Sequence, residues 1–342
     1  MSLREEWYNF RMARTSVGIL RGGTSSEYDL SLKSGAAMLA ALPESQFDVR
    51  DIFIDKRGYW HLRGAPVDAA RALSQIDIVL NALHGGVGED GTVQRILERA
   101  GVPYAGARPQ AAALSLNKIR AREVLQKAGV RMPRAVSFTL GNELSTGEMS
   151  NLVFSQFGPP YVIKPAQEGG SNGIRIAMTL LELPDALGDV LDAFGAALVE
   201  QYIRGEEASV GIVEDFRGEE LYVLPPAHVV LPLGARHLEL AHHQEGSLRH
   251  NVPSNFSHDQ KQAIADLARA AHRALGLSHF SRADMILAPS YAKASKGEPH
   301  VYLLEVNAIP GLYPGASFPP MLESVGSSVP EFLQHAIRLA MR

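Results

Sequence analysis

Arg282 and Asp284 in Arg-Ala-Asp-Met-Ile, with Glu305 and Asn307 in Leu-Leu-Glu-Val-Asn-Ala-Ile-Pro-Gly, have types and spacing suited to chemistry. Each pair sits one residue apart in a short apolar run, the pattern of a buried strand. Strand side chains alternate faces, so each pair shares a face. If the two strands pair, a guanidinium and three oxygen ligands converge on one point. Two carboxylates and an amide oxygen are hard ligands of the kind Mg²⁺ takes while it also holds substrate phosphates. An arginine fixed beside such a metal stabilises negative charge developing in acyl or phosphoryl transfer. Two amphipathic strands with polar ends would show the same residues.

Other stretches carry weaker signals. Lys164-Pro165 is followed by Gln167-Glu168-Gly169-Gly170-Ser171-Asn172-Gly173, where loop amides can cradle phosphate beside the lysine counter-charge. No Gly-Lys-Ser/Thr ends it, so it is not a P-loop, and a plain hairpin loop has the same glycines. Glu200-Gln201-Tyr202-Ile203, with Glu207 just beyond, offers acceptor and apolar groups for an adenine edge, or is an ordinary strand end. Glu27 and His84 lie where two strands run into glycine turns, and ligands of open α/β sheets sit beyond strand carboxyl ends. His84 equally suits a loop histidine that bonds only backbone. The polar segment 232–257 contains His237, His242, His243 and His250 and reads as a lid, since loops of that length are commonly functional. Its histidine spacing matches no zinc motif.

The elements that must position these residues are those of an α/β protein. Val17–Leu20, Val49–Ile54 and Ile76–Leu83 read as strands, with a helix over 30–42. Asp90 stands where it can cap the next helix. Positions 110–128 read as one helix with Lys118 near its middle, ended by Gly129. Tyr161–Lys164, Ala197–Tyr202, Ser209–Glu214 and Leu221–Val230 read as strands, and 259–275 and 329–341 as helices. The expected division is a tail over 1–14, an N-terminal domain over 15–108, a central unit over 109–196 and a C-terminal unit over 197–342.

At 342 residues the chain has room for two or three domains. A net charge of −4 gives no reason to expect a nucleic-acid or anionic-membrane surface. With no cysteine, disulfides and thiolate chemistry are excluded. No apolar run approaches the roughly 20 residues of a membrane span, and residues 1–14 lack the apolar core of a signal peptide, so a cytoplasmic protein is expected.

Taken together, the chain resembles the D-alanine–D-alanine ligase family of the ATP-grasp superfamily from about Ser16 to its end. Gly22 to Glu27 with Ser31 to Gly35 is similar to the family's first signature, and Leu83-His84-Gly85 with Gly88 to Thr92 to the second. Arg282-Ala283-Asp284 and Glu305 to Gly311 match the metal and product end. The resemblance implies a three-domain α/β fold with an N-terminal parallel-sheet domain and ATP clamped between the central and C-terminal domains. Lys118 and Lys164 would meet ATP phosphates beneath a closing loop that includes Glu168 and Gly169. Glu200, Ile203 and Glu207 would line the adenine and ribose pocket. Asp284, Glu305 and Asn307 would hold two Mg²⁺, or Mn²⁺. Glu27 would take the first amino acid's ammonium beside His84, and Arg282 the tetrahedral oxyanion. The implied reaction joins two D-alanines through an acyl phosphate in peptidoglycan synthesis, in a cytoplasmic homodimer.

Three departures fall mainly on the acceptor side. Gly170 stands where the family usually has serine, with Ser171 one place later, so one hydroxyl of the trio around Glu27 is missing. His242-His243 replaces the lid's usual Lys-Tyr, and a lid histidine is also a feature of D-alanine–D-lactate ligases. The acceptor loop Gly311-Leu312-Tyr313-Pro314-Gly315-Ala316-Ser317-Phe318 is one residue longer than the family's. A relative with D-lactate, D-serine or another acceptor is the alternative.

Overall fold

A computed structural model describes residues 14–141, 143–230, 248–289 and 300–342. His237, His242 and His243 lie outside the described residues, as does most of the expected lid.

Among the described residues the strands form three sheets. Strand Thr15–Gly22 lies between Phe47–Ile54 and Ile78–Asn81, parallel to both, with Tyr104–Ala105 parallel at one edge. Buried Val17, Ile19, Leu20, Ile52, Ile78 and Val79 explain its near-continuous apolar strands, because a parallel sheet is covered on both faces. Two short strands, Trp60–Leu62 and Ala65–Val67, extend the other edge as an antiparallel ribbon. Helix Tyr28–Ala41 follows the first strand, and Thr92–Ala100 follows the glycine turn after Ile78–Asn81. Asp90 accepts from the Thr92 amide at 2.7 Å at the start of that second helix.

The second sheet is antiparallel, in the order Ala135–Thr139, Ala196–Gln201, Tyr161–Pro165, Arg175–Ala177. Strand Ala196–Gln201, which the sequence division assigns almost wholly to the C-terminal unit, therefore pairs inside the central sheet. The third sheet is also antiparallel and centres on Glu206–Phe216, Phe280–Ala288 and His300–Asn307. Helix His258–Ala274 packs on it through Ile264, Ala268 and Ala271, its apolar positions recurring at helical spacing.

Two expected elements are broken. Positions 221–230 form two strands, Glu219–Val223 and Ala227–Val230, on either side of Pro225 and Pro226, which have no N–H for a ladder. The single helix expected over 110–128 is two, Pro109–Leu116 and Lys118–Lys127. Asn117 leaves the helical region at φ −83°, ψ 96°, and its side chain accepts from the Arg120 amide at 3.0 Å. Lys118 therefore starts a helix instead of standing mid-helix, and its amide donates to Ala166 O at 2.8 Å. Asn117→Ala should remove about 1 kcal/mol and lower the melting midpoint by a few degrees, read by calorimetry. An unchanged midpoint would show that the cap is idle.

The chain end returns to its beginning. Phe332, Leu333 and Ile337 of helix Val329–Ala340 share one core with Val17, Ile19, Met38 and Leu80 of the first domain. That core also takes in Val213, Phe216 and Phe280 of the third sheet, so the first and third sheets pack together.

Candidate active site

The third sheet supplies the charged floor. Strands Phe280–Ala288 and His300–Asn307 pair so that Asp284 faces Glu305 and Arg282 faces Asn307. A register shift follows between Asp284 and Met285, so Met285 pairs with Leu303. Arg282 donates from Nε to Asp284 Oδ1 at 3.1 Å and from Nη2 to Oδ2 at 2.8 Å. Asn307 Nδ2 donates to the same Oδ2 at 3.0 Å. Ser209 Oγ donates to Oδ1 at 2.8 Å and stands 3.1 Å from Ser317 Oγ. The convergence expected from strand alternation is present.

Glu305 is the second carboxylate, with Lys118 Nζ 3.2 Å from Oε2. Burial pushes its pKa up, yet Lys118, Lys164 and Arg282 outweigh that and take it down to about 2. Glu207 goes the other way, pushed up to about 7 by burial and by the charges of Asp284 and Glu305. Burial also opposes the charge on Arg282, but Asp284 more than compensates and its pKa is raised. The site thus crowds carboxylates that the protein's own cations neutralise unevenly.

The central sheet supplies the opposite wall. Strands Tyr161–Pro165 and Ala196–Gln201 place Lys164 and Glu200 together, Nζ to Oε2 2.7 Å, both buried. Arg122 approaches the other oxygen of Glu200 at 3.3 Å and also donates to Pro133 O. Ile203 lines the same cleft with Val162, Ile176, Leu248 and Met285, apolar side chains in a cleft that also holds the buried charges. Across the loop after Lys164, Lys118 Nζ donates to Glu168 O at 2.6 Å and Asn172 Nδ2 donates to Glu168 Oε2 at 2.7 Å. Ser26 Oγ reaches the same carboxylate oxygen at 3.2 Å, tying this loop to the first domain. Gly170 and Ser171 both have positive φ, 56° and 64°, so the chain turns sharply at the cleft mouth.

The first domain closes the third side. Glu27 is buried at the start of helix Tyr28–Ala41, and Gly85 and Gly169 leave room for its carboxyl group. A Cβ at either glycine would stand 2.8 Å or 2.2 Å from Glu27 Oε1. Burial, then Glu89 and Glu305, push Glu27 up to about 8 against the pull of Lys118 and Arg282. A bound ammonium would supply the charge it lacks. His84 bonds side chains, its Nε2 2.7 Å from Ser34 Oγ and its Nδ1 3.8 Å from Glu89 Oε1.

The cleft encloses about 1560 Å³, solvent opening included. Glu27, His84, Lys164, Gly170 and Ser171 are among the residues that line it. Glu200, Ile203, Glu207, Arg282, Asp284, Glu305, Asn307, Gly311 and Ser317 complete it. Lys118, Glu168 and Gly169 join through the contacts above, while His243 lies outside the described residues. Sequence reasoning missed the roles of Ser34, Glu89, Arg122, Ser209 and Tyr313. Ser34 and Glu89 stand inside or beside recognised motifs, but Arg122 gave no signal, since its partner Glu200 is distant in sequence.

The residues fit a divalent cation by donor chemistry: two carboxylates and an amide oxygen, all hard, beside lysines suited to phosphate. Among the described residues no group of three or more His, Cys, Asp or Glu is arranged as a ligand set. The excess of carboxylate around Glu207, Asp284 and Glu305 is the imbalance a dication relieves.

Known proteins of one family are similar to this chain. The family described as D-ala D-ala ligase C-terminus matches residues 124–338, and D-ala D-ala ligase N-terminus matches 61–107. A D-alanine–D-alanine ligase of Geobacter sulfurreducens is 35% identical over 87% of this chain and 85% of its own. One from Desulforudis audaxviator is 32% identical over 95% and 98%. The crystal structure of VanG D-Ala:D-Ser ligase from Enterococcus faecalis superposes with a TM-score of 0.81 at 27% identity, covering 96% of this chain and 99% of that one. The Bacillus anthracis D-alanine–D-alanine ligase complexed with ATP gives 0.75 at 25%, covering 96% and 98%. Among the described residues no helix is long and apolar enough to cross a membrane.

Proposed function

Because the chain belongs to the D-alanine–D-alanine ligase family, we propose that it joins two D-alanines at the expense of ATP, releasing ADP and phosphate. The observation that carries this reading is the convergence of Arg282, Asp284, Glu305 and Asn307 across one cleft from Glu27.

In this reading Glu27 anchors the ammonium of the first D-alanine and turns its carboxylate toward Arg282. That carboxylate attacks the γ-phosphorus of ATP, forming an acyl phosphate and ADP. The amine of the second D-alanine attacks the acyl carbon, loses a proton and expels phosphate. Arg282, held by both oxygens of Asp284, faces the oxyanion of the tetrahedral intermediate, a contact of the kind worth roughly 10²–10³-fold. Lys118 and Lys164 offset phosphate charge, and Ile203 with the apolar side chains of the cleft takes the adenine. Asp284, Glu305 and Asn307 would hold Mg²⁺, which neutralises the triphosphate and polarises the transferred phosphoryl group. Gly311 and Ser317 border the acceptor side, and the loop through Gly170 and Ser171 shields the acyl phosphate from water.

We extend the central unit through Gln201, since its sheet does, and keep the homodimer and a cytoplasmic role in peptidoglycan precursor synthesis as parts of the same reading. The test is phosphate release with mass detection of product. ATP, Mg²⁺ and D-alanine together should give D-alanyl-D-alanine and one phosphate per dipeptide, with little release when D-alanine is omitted. Release that ignores D-alanine would overturn the reading.

A further inference from the structure

The side chain of Tyr313 occupies a place that the ligase chemistry leaves unexplained. It stands in the lengthened acceptor loop, buried, and packs with Leu30 and Ala316 as a small apolar cluster separate from the main cores. All three line the cleft. Leu30 lies three residues after Glu27, on the same face of helix Tyr28–Ala41. Glu27 and this cluster thus line the same cleft.

The ring and the loop that carries it make several contacts. It packs T-shaped with the His84 ring, centroids 6.2 Å apart at 86°. The Ala316 amide donates to Tyr313 O at 3.0 Å, closing a turn, and the Leu312 amide donates to Ser34 Oγ at 3.3 Å. A Cβ on Gly311 would come within 2.6 Å of Tyr313 Cε1, so the ring lies against bare backbone. Burial pushes the phenol up to about 12, with Arg282 pulling it down and Glu27 pushing it further up.

We propose that Tyr313, backed by Leu30 and Ala316, is the wall that limits the first amino-acid subsite to a methyl side chain. This rests on the ligase reading above and adds the determinant of its first substrate. One methylene too many in a rigid apolar pocket is rejected by roughly 10–200-fold.

The test uses the full-length enzyme with ATP, Mg²⁺ and an equimolar mixture of D-alanine and D-norvaline, with tandem mass spectrometry to place each residue in the dipeptide. The wild type should place alanine almost alone at the first position. Tyr313→Ala should raise the norvaline-to-alanine ratio at that position at least tenfold, within the roughly 10–200-fold range for a removed clash. Tyr313→Phe, which keeps the ring, should retain the wild-type preference. If Tyr313→Ala does not fold, Tyr313→Leu with D-2-aminobutyrate makes the same comparison. An unchanged first-position ratio, or norvaline only at the second position, overturns the wall while leaving the ligase reading intact. A wild type that makes no dipeptide from D-alanine overturns both.

Discussion

Glu305→Gln should lower D-alanine-dependent phosphate release by more than about 10²-fold without unfolding the protein, the scale of one lost electrostatic contact in an active site. The carboxylate is held ionised at about 2 by Lys118, Lys164 and Arg282, so at neutral pH it carries a full charge that glutamine lacks. Two consequences follow from that one atom exchange. Lys118 loses its partner at 3.2 Å, and the proposed cation site loses one of two carboxylates while Asp284 remains tied to Arg282, Asn307 and Ser209. The replacement is isosteric and the side chain faces the cleft, so the third sheet keeps its packing. Raising Mg²⁺ should recover little activity, because the ligand itself is gone. Turnover within a few-fold of wild type would sink the metal assignment, and a collapsed melting midpoint would show that Glu305 is structural.

The convergence of Arg282, Asp284, Glu305 and Asn307 was legible through strand alternation, while their roles were implied only by the family resemblance. Period two placed Arg282 with Asp284 and Glu305 with Asn307, and the ladder brought both pairs to one face. The shift after Asp284 was not readable, since a bulge leaves the apolar pattern on each side intact. The break at Asn117 was missed for a similar reason. Apolar residues on both flanks suit helix, and only the capping preference of asparagine marks the turn. Arg122 and Tyr313 show a deeper limit. Arg122 meets Glu200 78 positions away, and Tyr313 meets Leu30 from the far end of the chain. Such contacts depend on how separate elements dock on one another, which no local period encodes.

Glu200→Gln should destabilise the protein by about 3–5 kcal/mol, lowering the melting midpoint on the order of 10 °C, because it strips the shared counter-charge from two buried cations. Lys164 lies 2.7 Å from one oxygen of Glu200 and Arg122 3.3 Å from the other, and all three side chains are at most 10% exposed. Screening by solvent is therefore weak. Burial alone would lower the Lys164 pKa, but Glu200 first and then Glu305 more than compensate, and it is raised above its ordinary 10.5. A raised lysine contributes stability in full below its unfolded pKa and loses it only as pH climbs through the folded value, so the contribution is undiminished at neutral pH. In the variant, Lys164 and Arg122 face a neutral amide and repel each other, and the lysine loses the fixed position from which it is proposed to meet phosphate. The Michaelis constant for ATP should rise along with the loss of stability. Arg122→Met added to Glu200→Gln should recover part of the midpoint by removing one stranded cation, a coupling that independent sites would not show. If Glu200→Gln melts with the wild type, the triad contributes nothing net. If the double variant is merely additive, Arg122 and Glu200 do not act as a pair.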